Sequence, residues 1–327
     1  MTLDPAVAAV RRGVRDVLAA HEDDAGPVVV ACSGGADSLA LLAATVHEGH
    51  KAGRRVVGAV VDHGLQDDSA DHTARVVATM ARVGADETLS ARVTVEAQGR
   101  GLEAAAREAR YAVLGHVAAS LGSRLVLLGH TLDDQAETVL LGLARGSGGR
   151  SIAGMRPAFE VFARPLLGVT RAQTEAACAA EGLEPWQDPH NDDPRFTRSR
   201  VRHTVLPTLE RELGPGVAET LARTAEQLRP DMEALDDLAD AALARARTDD
   251  GLRLPDLAGQ PDAVRSRVVR LAALAAGSPP SELFHVHVTA LLGLVSGRVR
   301  GQVQLPGHVT AVLDGDTLRF ARRPVEP

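Results

Sequence analysis

Lysine occurs once in this 327-residue chain, at Lys51, and cysteine twice; aromatics make up 2%, as five Phe, one Tyr (Tyr111) and one Trp (Trp186). So few aromatics argue against a single-stranded nucleic-acid binder built on stacking platforms. Cys32 and Cys178 stand far apart with no C-x-x-C spacing. That disfavours a disulfide scaffold, a zinc ribbon and a cysteine-held iron–sulfur cluster. No apolar run approaches ~18 residues without charge, and the N-terminus lacks a signal-peptide pattern. The expectation is a cytoplasmic protein with no membrane partner. The formal net charge of −7 argues against a general coat for DNA, though not against a local basic patch. Nearly all positive charge is arginine, and the richness in Ala, Gly, Arg and Val reads as the imprint of a GC-rich genome.

What is present is an ordinary globular composition, 45% hydrophobic and 24% charged, at a length that suggests two domains. Pro27–Cys32 is a short apolar run of the buried parallel-strand type, after an amphipathic helix over Pro5–His21. Further strands are expected at Arg55–Val61, Arg92–Glu96 and Leu125–Leu128. Helices are expected over 69–83, Leu102–Leu121 and Asp133–Arg145, the last stopped by the glycine cluster around Gly148. Such alternation implies an α/β fold with a doubly wound, mainly parallel sheet. Beyond residue 165 come helices over Thr170–Glu181 and Arg198–Leu209, then one long charged helix over Val217–Arg247. Two more helices near 263–276 and 281–295 precede short strands at Gln302–Leu305, Val309–Leu313 and Thr317–Phe320, joined by Pro-Gly and Asp-Gly turns. The expected division is a catalytic domain over 1–208, a linker helix over 209–246 and a small α+β domain over 247–327.

Ser33-Gly34-Gly35-Ala36-Asp37-Ser38 lies between the first strand and the next helix. Glycines there let backbone N–H groups approach a phosphate, and a helix N-terminus adds favourable partial charge. No Gly-Lys-Ser/Thr follows, so this is not the loop that grips phosphates through a lysine. Taken alone the segment is also compatible with a plain tight turn. Asp37 weighs against that, because a carboxylate in an anion cradle repels phosphate unless a cation such as Mg²⁺ bridges them. The S-G-G-x-D-S segment resembles the pyrophosphate loop of the N-type ATP pyrophosphatases, which cleave ATP to AMP and pyrophosphate to activate an oxygen by adenylation.

Other segments narrow the choice. Val61-Asp62-His63-Gly64-Leu65 ends the second strand. Arg107-Glu108-Ala109-Arg110-Tyr111 lies in a helix, with Arg107 and Tyr111 one turn apart on one face and Arg110 beside it. Gly129-His130-Thr131-Leu132-Asp133-Asp134-Gln135-Ala136-Glu137-Thr138 opens another helix. Acidic residues in a first turn are often only dipole complements. Yet Asp134 and Glu137, at i and i+3, share one side and would suit an ammonium group or a metal. Arg145-Gly146-Ser147-Gly148 and Arg164-Pro165-Leu166 follow, then Trp186 with Asp188 to Asn191. Last comes an arginine-rich run with Arg195, Arg198, Arg200, Arg202 and His203. From residue 206 onward 14 Arg face 17 acidic residues, so bulk charge attracts no nucleic acid there. The local arginine stripe is the candidate phosphate contact.

In this order the segments resemble the tRNA(Ile)-lysidine synthetases, densely over about residues 26–210 and loosely beyond; Ser199 stands where that family often has Asn. The resemblance implies lysine ligation to C2 of the wobble cytidine in a tRNA(Ile) with a CAU anticodon, through an adenylated cytidine. It implies ATP at Ser33, Gly34, Gly35, Ala36, Asp37 and Ser38, with Asp62, His63 and His130, and Mg²⁺ on Asp37. L-lysine is assigned to Asp134 and Glu137, and Arg110, Arg198 and Arg202 offset phosphate charge. A homodimer, and a C-terminal region that contacts tRNA, are further implications. Two alternatives stay open: a tRNA thiolase on the same ATP loop, for which the two cysteines are a poor provision, and a non-catalytic nucleotide sensor or RNA-binding module.

Overall fold

Val28, Val30, Val56, Val60, Leu125 and Leu127 point to one side of their strands and Val29, Val57, Ala59, Val126 and Leu128 to the other, and both sets are buried. Strands apolar on both faces need helices on both faces, which is the condition for a doubly wound parallel sheet. The computed structural model describes residues 3–62, 69–93, 102–146, 148–187 and 193–322. His63, Gly64, Leu65, Ser147 and the Asp188–Asn191 segment lie outside them.

The strands are β1 (Val28–Ala31), β2 (Val56–Asp62), β3 (Glu87–Arg92), β4 (Leu125–Leu128), β5 (Ala158–Phe159) and β6 (Phe162–Ala163). They form one sheet in the order β3-β2-β1-β4-β6-β5. All neighbours are parallel except the β5–β6 hairpin, and Val28 is in register with both Val56 and Leu125. Strand order runs from β1 outward through β2 to β3, then restarts with β4 on β1's other side. The crevice beyond the carboxyl ends of β1 and β4 is therefore the topological switch point, where ligands of such sheets bind.

Helices α1 (Pro5–Ala19), α2 (Ala36–Lys51), α3 (Ser69–Val83) and α7 (Arg171–Ala180) bury residues in the core on one face, whereas α4 (Leu102–Ser120) covers the other. The described third strand is Glu87–Arg92, which pairs with Val57–Asp62, so it starts ahead of the expected Arg92–Glu96, of which residues 94–96 lie outside the described residues. Its weak alternation and half-exposed side chains explain the displaced expectation. The β5–β6 hairpin was not expected either, its strands being two residues each.

Helix α5 (Leu132–Ala144) is followed by a short helix α6 (Gly149–Ile152), so the glycine cluster ends one helix and starts another. The arginine run forms α8 (Thr197–Arg200), a π turn over Val201–Val205 and α9 (Leu206–Leu213). Pro207 accounts for the π turn: its ring opposes the carbonyl four residues back, and the wider turn lets Leu206 N–H reach Val201 O instead.

The chain divides into two compact units, 1–141 with 154–223, and 142–153 with 224–327. The expected borders at 208 and 246 are thus replaced by one inside α10 (Val217–Ala246). Ala218 and Leu221 pack with Ala136, Val201 and Leu206 of the first unit, while Ala239, Ala242 and Ala246 belong to the core of the second. That second core joins α11 (Asp262–Ala275) and α12 (His285–Val295) to strands β7 (Arg247–Thr248), β8 (Gly251–Arg253), β9 (Gln302–Leu305), β10 (Val309–Asp314) and β11 (Thr317–Arg322). These strands form an antiparallel sheet in the order β7-β8-β11-β10-β9, the α+β arrangement expected there. Among the described residues no helix is long and apolar enough to cross a membrane.

Candidate active site at the strand ends

The loop after β1 is organised by its last serine. Ser38 Oγ accepts from the N–H groups of Ser33 (3.1 Å) and Gly34 (3.2 Å) and donates to Gly35 O (2.9 Å). Gly35 is the N-cap of α2 and supplies no side-chain cap, so the helix's first N–H groups meet no capping side chain, the arrangement that receives anions. Gly34 has φ +88°, and a Cβ there would lie 2.8 Å from Val76 Cγ2. Gly129, just past β4, approaches so closely that a Cβ would lie 3.1 Å from Ser38 N and from Asp37 C. Glycine at 129 thus lets the β4–α5 corner rest on the β1–α2 loop.

Asp37 stands in the first turn of α2, between these corners. Thr174 Oγ1 on α7 donates to its Oδ1, and the nearest cation to Oδ2 is Arg171 Nε at 3.8 Å. Burial pushes its carboxyl up from 3.8 to about 6, against the pull of Thr174 and Arg171. Among the described residues no cluster of three or more metal-ligating side chains exists. A Mg²⁺ does not require one: it takes one or two carboxylates and fills its remaining positions with phosphate oxygens and water. Asp37, with one oxygen free of hydrogen bonds from described residues, fits that use.

Asp134 and Glu137 face the same crevice from the first turns of α5, but each is already engaged by guanidiniums. Glu137 is fully buried and accepts from Arg198 Nε and Arg202 Nε, both at 2.7 Å. Asp134 Oδ1 meets Arg171, Arg202 and Arg198 at 3.1, 3.2 and 3.4 Å, while Oδ2 accepts from Thr131 N–H at 2.9 Å. Burial raises the Asp134 carboxyl, but Arg198, Arg171 and the Thr131 N–H outweigh it and hold it below the ordinary range. The site is therefore a buried charge lattice, carboxylates on α2 and α5 interleaved with arginines from α7, α8 and the π turn.

Arg171 and Thr174 were not singled out in the sequence. One signal was there: Arg171 is the first residue of a helix that opens with a Thr170–Gln173 capping box, and a cation at a helix N-terminus opposes the dipole. It is explained by Asp133, whose Oδ2 accepts the Arg171 N–H at 2.7 Å, and by the other carboxylates around its guanidinium.

The remaining expected residues distribute differently. His130 Nδ1 accepts from Arg164 Nε at 3.2 Å. Burial, aided by Arg164, Arg107 and Arg198 and opposed by Asp134, pushes the imidazole down to about 3; it is neutral at physiological pH. Arg164 also donates to Tyr111 OH (3.2 Å), which receives Arg107 as well (3.0 Å). The Arg107–Tyr111 pairing follows from their one-turn spacing. Asp62 is buried and paired with Arg92 at 2.8 Å. Arg110 is exposed on α4 and is not among the described guanidiniums on Asp134 and Glu137. His63 falls outside the described residues.

The arginine stripe splits by helical phase. Arg198 and Arg202 turn inward to the carboxylates, whereas Arg195 pairs with Asp193 and Arg200 donates to Pro194 O. Both thiols are buried: burial raises Cys32 and pushes Cys178 up to about 12. Neither is a ready nucleophile or metal ligand.

Residues 9–209 match the PP-loop domain family. The tRNA(Ile)-lysidine synthase of Salinispora arenicola is 51% identical over 311 residues, covering 93% of each chain. That of Thermobifida fusca is 51% identical over 306 residues, covering 93% of this chain and 94% of its own. Among solved structures, the U34-tRNA thiolase NcsA of Methanococcus maripaludis superposes with a TM-score of 0.57 at 20% identity, covering 68% of this chain and 79% of its own. That likeness is one of fold.

Proposed function

We propose, from the premise that this chain belongs to the tRNA(Ile)-lysidine synthase family, that it ligates L-lysine to C2 of the wobble cytidine of a tRNA(Ile) with a CAU anticodon, using ATP. The observation that carries the site-level reading is the meeting, at one switch point, of an anion-receiving loop and two carboxylates wrapped in arginines.

In the first step the cytidine O2 attacks the α-phosphorus of ATP, the bond to the β-phosphate oxygen breaks, and pyrophosphate leaves. Backbone N–H groups of Gly35 to Ser38 receive the pyrophosphate, aided by the N-terminus of α2. Asp37 is the residue that would hold Mg²⁺, which when bound offsets phosphate charge and so removes the objection to a carboxylate in an anion loop. Arg171, Arg198 and Arg202 supply fixed positive charge beside the reacting phosphate. In the second step the ε-amine of lysine attacks C2 and AMP leaves with the former O2. The ammonium must first lose a proton, and the carboxylates are the bases at hand.

Asp134 and Glu137 are assigned different parts in lysine binding. An incoming ammonium group must displace a guanidinium, and the shortest guanidinium contact is 3.1 Å at Asp134 against 2.7 Å at Glu137. Asp134 is accordingly the residue that exchanges an arginine for the substrate. Glu137, deeper, keeps Arg198 and Arg202 in place.

The family premise also carries two lesser proposals, a cytoplasmic site of action and a homodimer, the second readable by sedimentation. The central test combines protein, ATP, Mg²⁺, labelled lysine and a tRNA(Ile) transcript with a CAU anticodon. Label is expected in the RNA, with release of AMP and pyrophosphate, and not in a methionine tRNA bearing the same anticodon. ATP binding by folded protein without lysine incorporation would overturn the reading.

A further inference from the structure

His72, on α3, lies outside the carboxylate–arginine lattice and in none of the motifs considered in the sequence. Its Nε2 is 3.0 Å from Ser33 O, and because a carbonyl only accepts, this nitrogen carries the proton. The ring packs on Trp186, with centroids 3.8 Å apart. The backbone N–H of Trp186 in turn donates to Gly34 O at 2.9 Å. Nδ1 of His72 is buried with no hydrogen-bond partner among the described residues, so its link to the loop is the one bond through Nε2.

Two successive carbonyls of the anion loop are thus held from outside it, one by His72 and the next by the residue His72 packs against. In a trans peptide the N–H points opposite to the preceding C=O. Holding Ser33 O outward aims the Gly34 N–H at Ser38 Oγ, where it is found at 3.2 Å. Holding Gly34 O on Trp186 turns the Gly35 N–H away from Trp186, the face on which α2 begins. Gly34 also leaves the space His72 occupies, since a Cβ at 34 would lie 3.3 Å from His72 Cε1.

We propose that His72 is a positioning residue for ATP: with Trp186 it fixes the Ser33 and Gly34 peptide planes, so that the Gly34 N–H locks onto Ser38 Oγ and the N–H groups from Gly35 onward are pre-aimed at the pyrophosphate portion. The inference rests on the reading of this loop as the ATP site, and it is tested by ATP binding alone. Trp186 is the one tryptophan in the chain, so its fluorescence reports on the loop directly.

The experiment titrates Mg-ATP into the parent, His72→Ala and His72→Gln, following Trp186 emission and heat of binding, with lysine incorporation measured on the same samples. His72→Ala is expected to raise the ATP Kd and KM by about tenfold and to leave the KM for lysine within twofold. His72→Gln, whose amide N–H reaches the same carbonyl, is expected to recover ATP binding to within about threefold of the parent. ATP affinity unchanged in His72→Ala, or His72→Gln no better than His72→Ala, overturns the proposal. A parent that binds ATP normally but incorporates no lysine instead overturns the ligase reading and leaves the binding comparison intact.

Discussion

Replacing Asp37 by asparagine is expected to make the protein more stable while abolishing adenylation. The carboxyl sits in a pocket that raises it from 3.8 to about 6, a penalty on the ionised form of about 3 kcal/mol. The sign follows from proton binding. The unfolded chain ionises near 3.8 and the folded one near 6, so between these values the native state holds more protons and stability falls as pH rises. Above about 6 the loss is complete and constant. Asparagine carries no charge to desolvate, and its Oδ1 can still accept from Thr174 Oγ1. Allowing for a weaker hydrogen bond to a neutral acceptor, the net gain at pH 7.5 is about 2 kcal/mol, or ~4–8 °C in Tm for a unit of this size. The assay is thermal unfolding of parent and Asp37→Asn in EDTA at pH 7.5 and pH 5, beside ATP-pyrophosphate exchange with tRNA. At pH 5 the gain should shrink to about a third. A variant no more stable than the parent at pH 7.5, or a gain of equal size at both pH values, would refute the electrostatic account of this site.

Glu137→Gln is expected to act in the opposite direction, costing about 3 kcal/mol because Arg198 and Arg202 lose their fully buried counter-charge; chemical denaturation measures this, and a loss under 1 kcal/mol contradicts the lattice. Gly129→Ala forces a Cβ against the Asp37–Ser38 backbone, and a KM for ATP raised at least fivefold, with the fold intact by circular dichroism, is the expected result. Native protein at pH 8 should resist iodoacetamide and keep full activity, since burial raises both thiols; rapid alkylation with loss of activity would show a thiol that takes part in the chemistry.

The sheet and most helices were legible because the strands are apolar on both faces and the helices keep their period; α10 and β4 fall where the pattern places them. Functional identity was legible for another reason: its motifs sit at strand ends, where backbone geometry demands particular residue types. The partners within the site were not. Whether Arg198 and Arg202 face solvent or Glu137 depends on the phase of a helix interrupted by a π turn, and periodicity does not report that phase. Arg171 and Thr174 come from α7, far along the chain from Asp37 and Asp134, and such long-range pairing leaves no local signature. The displaced third strand and the unrecognised β5–β6 hairpin show the same limit where segments are short or half-exposed.

The π turn after Arg200 gives the arginine-bearing segment one residue more than a regular helix would hold. A helix advances about 100° per residue, so that extra residue sets the angular offset between the guanidiniums on the carboxylates and the leucine, Leu206, in the packed cluster with Ala136. Releasing it would rotate one end against the other by about a quarter turn without melting either helix. Position 207, whose proline imposes the wide turn and donates no hydrogen bond, thereby acts as a tuning point for where Arg198 and Arg202 stand.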